Sequence, residues 1–320
     1  MKIGLVSDSL GNVSFDEMLD NAASLGIKGI EVATGNWSSS PHCDMTALLG
    51  DEAARKEFLA AFARRGLELF ALNCNGNQLH PSDGARQSAI VDDTVRLAGL
   101  LGVETVVLMS GLPAGGPQDQ TPNWVVASWP PETQTILKWQ WDDKLLPYWT
   151  ALAAHATANG VTKLAVELHG NQLVYNPPTL LRLRAAIGPV VGANFDPSHM
   201  MWMGGDPLAS VEMLGDAIFH VHAKDTYINP AVVATTTRLE NGSLTDLAAR
   251  SWWYITLGYG HDEKWWREFC YRLRLAGYDG WLSIEHEDVM LSRLEGLRKS
   301  VDLLNTVMPS EPGDFELQAI

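Results

Sequence analysis

Residues 190–205 read VVGANFDPSHMMWMGG, an apolar run that changes character abruptly at Asp196. The part VVGANF has the composition of a strand buried on both faces. Asp196, Pro197 and His199 follow at once, and a carboxylate at the end of a buried strand needs a partner because burying an unpaired charge is costly. The stretch therefore indicates a parallel-sheet strand with a functional group at its carboxyl end, where Pro197 turns the chain outward.

The same pattern recurs along the whole chain. Eight short apolar runs read as strands: KIGLVS, GIEVAT, LELFALNC, TVVLMSG, KLAVELHG, VVGANFD, IFHVHAKD and WLSIEHED. Amphipathic helical patterns such as DEAARKEFLAAFARRG separate them, and several end in glycine, which is typical of a helix C-cap. Eight strand–helix units predict an α/β protein with a closed parallel sheet, the (β/α)₈ or TIM barrel. The alternative is a doubly wound open sheet, but SDSLGN after the first strand lacks the dinucleotide-binding glycine motif.

Two long segments interrupt this repeat. Residues 111–143 form a loop rich in Pro, Gly and Trp after the fourth strand, and residues 226–262 form another after the seventh. Both leave the carboxyl ends of strands, where barrel enzymes place their active sites. We predict one barrel domain, residues 1–307, followed by a C-terminal extension, residues 308–320.

The composition argues against nucleic acid and membrane partners. There are 23 basic against 38 acidic residues, a formal net charge of −15, and no dense basic run. A phosphate backbone would repel such a chain.

Three widely spaced cysteines favour reduced thiols over a disulfide framework. The first residues lack the apolar core of a signal peptide, and no apolar run is long enough to span a bilayer. A soluble cytoplasmic protein is expected.

Polar side chains gather at the carboxyl ends of the last four strands. They are Glu167, His169, Asp196, His199, His220, His222, Lys224, Asp225, Glu285, Glu287 and Asp288. These ends share one mouth in a barrel, and converging carboxylates there would be stabilised by a cation. We predict that one divalent ion binds to Glu167, Asp196, His222 and Glu285. Three carboxylates and one imidazole suit Mn²⁺, with Mg²⁺ or Co²⁺ as alternatives. The other interpretation is a set of ion pairs at the barrel rim.

In the motifs VELHG, NFDPSHM, HVHAKD and SIEHED the chain resembles the xylose isomerase-like barrels, over nearly its whole length. That family includes sugar isomerases and epimerases, inosose dehydratases, and 3-keto-sugar epimerases and eliminases. The resemblance implies that Glu167 and Glu285 are metal ligands and also the catalytic acid/base pair, and that His199 contacts the substrate. One departure concerns the substrate: the epimerases place an arginine beyond the metal histidine, where this sequence has HAKDTYINP with Lys224.

The chemistry of such a site begins with proton abstraction. A carboxylate removes a proton from an α-hydroxyketone, and the metal stabilises the enediolate. Returning the proton gives a sugar isomerase or epimerase, which we predict, whereas loss of a β-substituent gives a dehydratase or lyase as the alternative. The loops after the last two strands lack a phosphate cradle. A non-phosphorylated ketose or keto-sugar is therefore expected, with a 3-keto-glycoside suggested by the tryptophan-rich loops.

Four further side chains are predicted to assist. His169 is either a second catalytic group or an orienting partner of Glu167, and Lys224 either neutralises the enolate oxygen or pairs with a neighbouring carboxylate. Glu31, at the end of the second strand, either binds a sugar hydroxyl or makes a rim contact, and Trp202 covers the substrate. The asparagines of LNCNGNQLHP, after the third strand, are interpreted as turn residues.

Two other functions are left open by the sequence. An apurinic endonuclease-like metallonuclease shares the fold, but it requires a basic surface that the acidic composition does not offer. A non-catalytic metal-binding subunit would use its tryptophan-rich loops as an interface. Whatever the function, a homo-oligomer or a complex with another subunit is expected.

Overall fold

Eight parallel strands close into a barrel in the computed structural model, which describes residues 1–315. They are β1 (Lys2–Val6), β2 (Gly29–Ala33), β3 (Glu68–Asn73), β4 (Thr105–Leu108), β5 (Lys163–Glu167), β6 (Val191–Phe195), β7 (Ile218–Ala223) and β10 (Trp281–Ile284). Hydrogen bonds join them in chain order, and β10 returns to pair with β1. The predicted (β/α)₈ barrel is confirmed, and each of the eight predicted strands is present.

Helices surround this barrel. They are α1 (Phe15–Ser24), α2 (Met45–Gly50), α3 (Glu52–Ala63), α4 (Gly84–Leu101), α5 (Glu132–Trp139), α6 (Leu146–Ala158), α7 (Pro177–Ile187), α8 (Pro197–Met203), α9 (Pro207–Leu214), α10 (Pro230–Thr236), α11 (Glu263–Leu275) and α12 (Arg293–Val307). Side-chain caps stabilise the first turn of several helices. The side chains of Ser14, Asp262 and Ser292 each accept a hydrogen bond from a backbone N–H of the helix that follows.

Aromatic side chains fill the amino-terminal end of the barrel. The rings of Phe70 and Trp281 stack with centroids 4.2 Å apart. Gly29 makes room for them, since a Cβ at this position would lie 2.7 Å from the Trp281 ring. Because this end is packed, the polar side chains at the carboxyl ends of the strands form the open mouth.

The two long segments contain more regular structure than the sequence predicted. Residues 111–143 include α5 and run into a π-helical turn, Gln140–Leu145, that continues as α6. Residues 226–262 hold α10 and most of a two-stranded antiparallel sheet of β8 (Asp225–Ile228) and β9 (Trp252–Ile255). Both long segments predicted after the fourth and seventh strands are present, but their regular structure was not predicted, because the second lacks the short, turn-bounded pattern that reveals a hairpin in sequence.

The hairpin of β8 and β9 is fastened to the barrel by one buried carboxylate. Asp225 accepts hydrogen bonds from the backbone N–H groups of Gly258, Gly260 and His261, at 3.0 to 3.2 Å. Its other oxygen lies 2.8 Å from Nδ1 of His261. A buried carboxylate with this many donors is well stabilised. These bonds therefore tie the two ends of the hairpin together beside the cavity, whose wall includes Tyr254 of β9.

The stretch at residues 190–205 forms β6 and then α8. Asp196 caps this helix by accepting the N–H of Ser198 at 2.8 Å, and Pro197 occupies the first helical position, where it needs no hydrogen-bond partner. Pro197 thus redirects the chain by starting a helix.

The last helix ends at Val307, where the predicted extension, residues 308–320, begins. Residues 316–320 of that extension lie outside the described residues, so the domain boundary stays a prediction. Across residues 1–315, no helix combines the length and the apolar character needed to cross a membrane.

Candidate metal centre and active site

Four side chains from four neighbouring strands meet at the mouth of the barrel. Glu167 ends β5, Asp196 follows β6, His222 lies in β7 and Glu285 follows β10. Each offers one ligand atom, and these atoms all lie within 4.8 Å of one another. The structure thus brings together the four residues predicted as metal ligands.

The quartet has the donor set and the charge of a cation site. Asp196 Oδ2 and His222 Nδ1 are buried and make no hydrogen bond of good geometry among residues 1–315, although His199 Nε2 and Glu285 Oε2, respectively, lie 3.2 Å away. Burial, reinforced by the Glu167 and Glu285 carboxylates against the effect of Lys224, raises the pKa of Asp196 to about 8. A divalent cation would satisfy both orphaned atoms and offset the repulsion. The residues present therefore fit a divalent metal ion.

A second layer of polar groups orients His222. Its Nε2 lies 3.0 Å from Glu31 Oε1, and the other Glu31 oxygen lies 2.7 Å from His220 Nε2. Asn73 also donates to Glu31, at 2.7 Å. Burial alone would raise the pKa of Glu31, but the two imidazoles hold it well below its usual range. Such a carboxylate behind a metal-binding histidine fixes its tautomer and ring orientation.

The contacts of Glu31 differ from the sugar-hydroxyl contact predicted for it, and that role stays a prediction. Its side chain is completely buried and is not part of the cavity wall. Glu31 pairs in register with Val6 and Ala71, inside the sheet rather than beyond its end. It lies one layer below the mouth and positions His222.

Glu167 is oriented by three donors. His199 Nε2 lies 2.8 Å from Oε1, and Asn194 Nδ2 lies 3.4 Å from Oε2. The amide of Asn75 also donates to Oε2. Asn75 was interpreted as a turn residue, and only the three-dimensional approach of β3 to β5 reveals this contact.

The tautomer of His199 follows from its neighbours. Trp202 Nε1, which can only donate, lies 3.2 Å from Nδ1 of His199, and the hydroxyl of Tyr254 lies 3.1 Å from the same atom. Nδ1 is therefore the acceptor and Nε2 carries the proton that is donated to Glu167. Burial, together with the charge of Lys224, lowers the pKa of His199 well below its usual value, so the ring is neutral.

The structure places Trp202 outside the cavity wall, so its predicted contact with the substrate stays a prediction. It is 7% exposed, is not part of the cavity wall, and stacks on Trp252 with ring centroids 4.8 Å apart. The helical geometry of α8 turns residue 202 towards residue 199, three positions earlier on the same face. Trp202 thus donates to Nδ1 of His199, the ring nitrogen that does not contact Glu167.

We expect this arrangement to survive the loss of either donor but not of both. In Tyr254→Phe the indole of Trp202 still donates to Nδ1, so His199 keeps its Nε2–H form. In the double variant Tyr254→Phe/Trp202→Phe no donor holds the lone pair of Nδ1 and only Glu167 still favours the Nε2–H form, so the share of the Nδ1–H tautomer should rise above that of wild type. Nitrogen-15 NMR of the His199 ring in metal-free protein measures this. Tyr227→Phe, on the same hairpin, is the control, and a wild-type His199 protonated at Nδ1 would contradict the assignment.

Lys224 lies between two carboxylates. Its Nζ is 3.0 Å from Glu285 Oε2 and 2.7 Å from Glu287 Oε2, and 4.1 Å from the centre of the Tyr254 ring. Burial would lower the pKa of Lys224, but these carboxylates raise it well above its usual value. Of the two roles considered for Lys224, pairing with a neighbouring carboxylate is the one observed, and its side chain also lines the cavity.

His169 also lines the cavity, beside His199, with ring centroids 4.1 Å apart. Its Nδ1 bonds to the carbonyl of Gly170. Burial, with a smaller effect of His199, lowers the pKa of His169 to about 3, so the ring is neutral. Its catalytic role stays a prediction.

The cavity above the quartet has a volume of about 690 Å³. Several residues in its wall were not predicted as functional: Asp8, Trp37, Ser38, Asn75, Tyr254, His286 and Arg293. Asp8 lies just beyond the end of β1, so the strand-end rule that found Glu167 would also have found it. His286 and Asn75 each lie two positions beyond the end of a strand, so the same rule applies to them. The remaining residues lie in a loop, in the hairpin and in α12, and their sequence carries no comparable signal.

The fold and the site together define a (β/α)₈-barrel protein with a candidate divalent-metal centre at the carboxyl ends of its strands. Residues 19–307 match the xylose isomerase-like TIM barrel family, and the chain belongs to that family.

Individual proteins and solved structures are also similar to this chain. The uncharacterized protein YfiH of Bacillus subtilis (strain 168) is 48% identical over 307 residues, covering 95% of this chain and 98% of that protein. Among solved structures, the probable 3-DHS dehydratase AsbF of Bacillus anthracis has a TM-score of 0.66 at 17% identity, covering 95% of this chain and 99% of that one. A D-tagatose 3-epimerase-like protein has a TM-score of 0.63 at 21% identity, covering 96% and 97%. At these identities the two structures establish a shared fold.

Proposed function

We propose that this protein is a divalent-metal-dependent sugar isomerase or epimerase acting on a non-phosphorylated ketose or keto-sugar. The observation that carries the proposal is the pair Glu167 and Glu285, which belong to one candidate metal site and both line one cavity. The family and the epimerase-like neighbour support a carbohydrate substrate. Mn²⁺ is the ion we propose for the oxygen-rich ligand set, with Mg²⁺ and Co²⁺ as alternatives.

The chain's own groups divide the work of proton transfer. A metal ion bound to the quartet would supply Lewis-acid polarisation of the substrate oxygens. Glu167, held in place by the Nε2–H of His199, removes or returns the proton on one side of the substrate. Glu285, paired with Lys224 at 3.0 Å, does so on the other side. Two oriented carboxylates are what inversion of a carbon next to a carbonyl requires, because one face must lose the proton and the other must gain it.

The electrostatics of the wall support an uncharged substrate. Carboxylates in the cavity wall belong to Asp8, Glu167, Glu285, Glu287 and Asp288, whereas the cationic side chains are Lys224 and Arg293. Lys224 is already paired with two carboxylates. A phosphate dianion would add to an excess of negative charge, which disfavours its binding.

Elimination by a dehydratase or lyase is the second candidate. Two further groups favour it, the hydroxyl of Tyr254 and the imidazole of His169, which line the cavity near Glu167. Tyr254 could protonate a departing oxygen, a step that epimerisation does not need, and His169, whose neutral ring keeps its proton on Nδ1 for the Gly170 carbonyl, could accept a proton through Nε2. The excess of acidic residues argues against a metallonuclease, and the cavity argues against a non-catalytic subunit.

Hydrogen exchange with solvent tests the proposal and separates the two candidates. Mn²⁺-loaded protein is incubated in heavy water with D-fructose, D-tagatose, D-psicose and 3-keto-glucosides, and products are analysed by mass spectrometry. An isomerase or epimerase gives a sugar that is one mass unit heavier, whereas an eliminating enzyme gives a product that has lost a substituent. Adding a metal chelator should abolish the formation of either product. Absence of both products across the panel would refute the proposed chemistry.

A further inference from the structure

The cavity extends well beyond the metal centre. Its volume of about 690 Å³ lies in the range of pockets that bury a drug-sized ligand rather than a single sugar ring. Besides the quartet side, its wall includes residues that follow β1 and β2 and the connection from β10 to α12. These strands are adjacent in the closed barrel, because β1 pairs with both β2 and β10. We call this part, formed by Asp8, Trp37, Ser38, His286 and Arg293, the outer pocket.

The outer pocket contains a polar group without a protein partner. Asp8 Oδ1 is buried and accepts no hydrogen bond among residues 1–315. Arg293 helps to fix this edge by donating to the carbonyls of Asp8 and Ser9, at 3.0 and 2.9 Å. A buried carboxylate oxygen with no donor is costly, and a ligand hydroxyl would satisfy it.

His286 occupies a notch in α12 that only glycine allows. The imidazole is 7% exposed, and a Cβ at Gly296 would lie 2.0 Å from its Cε1 atom. Glycine in a helix interior costs about 1 kcal/mol relative to alanine. Gly296 therefore lowers the stability of the helix but leaves space for the His286 ring. Nε2 of this ring has no hydrogen-bond partner among the described residues.

Trp37 provides a flat apolar surface in the same cavity wall, and its ring centroid lies 5.9 Å from that of His169. It is 54% exposed, although it lines the cavity and is one of the largest apolar side chains of the protein. An indole face with a carboxylate and an imidazole nearby suits a sugar ring, which has apolar C–H faces and hydroxyl edges. A purely apolar group would bury the unpartnered oxygen of Asp8, and a phosphate would be repelled by its charge.

We propose that the outer pocket binds a second hydroxylated ring, so that the substrate is a disaccharide-like keto-sugar rather than a free monosaccharide. This inference rests on the proposed function for the placing of the reacting ring at the metal centre. The second ring stacks on Trp37 and donates a hydroxyl to Asp8. Binding energy from this ring positions the reacting carbon between Glu167 and Glu285.

Calorimetry with matched ketoses tests the outer pocket. The probes are D-fructose and three disaccharides in which glucose is attached to fructose, namely turanose, maltulose and palatinose, each titrated into full-length Mn²⁺-loaded protein. At least one disaccharide should bind tenfold or more tightly than fructose. In Trp37→Ala and in Asp8→Asn the ratio of the two affinities should fall to about one. Trp129→Ala, which removes an exposed tryptophan outside the cavity wall, should keep the wild-type ratio.

The outcomes separate this inference from the proposed function. Three results would each overturn the outer pocket. They are a wild-type affinity ratio near one, no detectable binding of any disaccharide, and a tenfold ratio that persists in Trp37→Ala. Gly296→Ala adds an independent check, because displacing His286 should lower the ratio while Mn²⁺ affinity, measured separately, reports that the protein is folded. Failure of the heavy-water experiment with a tenfold ratio would reject the proposed function and leave the outer pocket standing.

Discussion

Glu285→Gln and Glu167→Gln are each expected to lower the rate of deuterium uptake by the substrate by about 10² to 10⁴-fold. Glutamine has nearly the same shape as glutamate but cannot accept the proton at neutral pH. Both substitutions should also weaken Mn²⁺ binding, since each removes a charged ligand of the quartet. Mass spectrometry measures the exchange rate, and calorimetry measures the metal affinity.

Glu287→Gln is the matched control. Glu287 lies two residues from Glu285 and pairs with the same lysine at 2.7 Å, but it is not a member of the quartet. This variant should keep its Mn²⁺ affinity and exchange rate within a few-fold of wild type. If Glu287→Gln were as inactive as Glu285→Gln, or if Glu167→Gln exchanged deuterium at the wild-type rate, the assignment of the acid/base pair would be wrong.

Mn²⁺ is expected to stabilise the wild-type protein strongly and the variant Asp196→Asn hardly at all. A ligand that binds only the folded state, at a hundredfold its Kd, adds about 2.7 kcal/mol to the free energy of unfolding. Without metal, the raised pKa of Asp196 means that the ionised carboxylate destabilises the fold. This cost develops as the pH rises from the pKa of an aspartate in the unfolded chain, near 3.8, towards the pKa of Asp196 in the folded protein, about 8. Asp196→Asn should therefore be more stable than wild type when both are metal-free at neutral pH.

Asp206→Asn provides the comparison for this experiment. Asp206 caps α9 and precedes a proline, as Asp196 does for α8, and it accepts the N–H of Leu208 at 2.9 Å. Asparagine is an equally good helix cap, so neither substitution removes the cap. Thermal unfolding with and without Mn²⁺ should show full metal stabilisation in Asp206→Asn. Equal stabilisation of Asp196→Asn would exclude Asp196 as a ligand.

The barrel and the quartet were predictable because both depend on short-range patterns. Each strand is an apolar run ended by turn residues, and in a barrel every carboxyl end faces the same mouth. Glu167, Asp196, His222 and Glu285 could therefore be placed together without coordinates. The structure confirms the fold and brings these four side chains within range of one ion.

The depth of a side chain in the barrel was not predictable in the same way. Glu31 and Glu167 both lie near the end of a strand, yet Glu31 is below the mouth and Glu167 is in its wall. Depth depends on the stagger between neighbouring strands, which includes a register shift between Ile30 and Glu31. A shift of this kind leaves no mark in the sequence of one strand.

The hairpin was missed for a different reason. Its strands β8 and β9 are separated by a long connection without the two-residue turn that announces a hairpin. Tyr254 consequently could not be placed beside His199, and Trp202 was assigned to the substrate instead of to that histidine. The first case depends on a contact between segments remote in sequence, Tyr254 and His199, whereas Trp202 contacts His199 within one helical turn, as the i,i+3 spacing of α8 allows.

The anchoring of the hairpin by Asp225 has a consequence for engineering this protein. Both strands of the hairpin are fixed at their barrel ends, while residues 241–246, between them, are all exposed. Exposed segments between fixed ends are where chains accept insertions, because the closure entropy grows only slowly with length. A reporter peptide or a dye-labelled cysteine inserted there would sit on the hairpin that forms the rim of the mouth. Tyr254 would keep its place, which makes this tip a suitable position for an optical sensor of substrate binding.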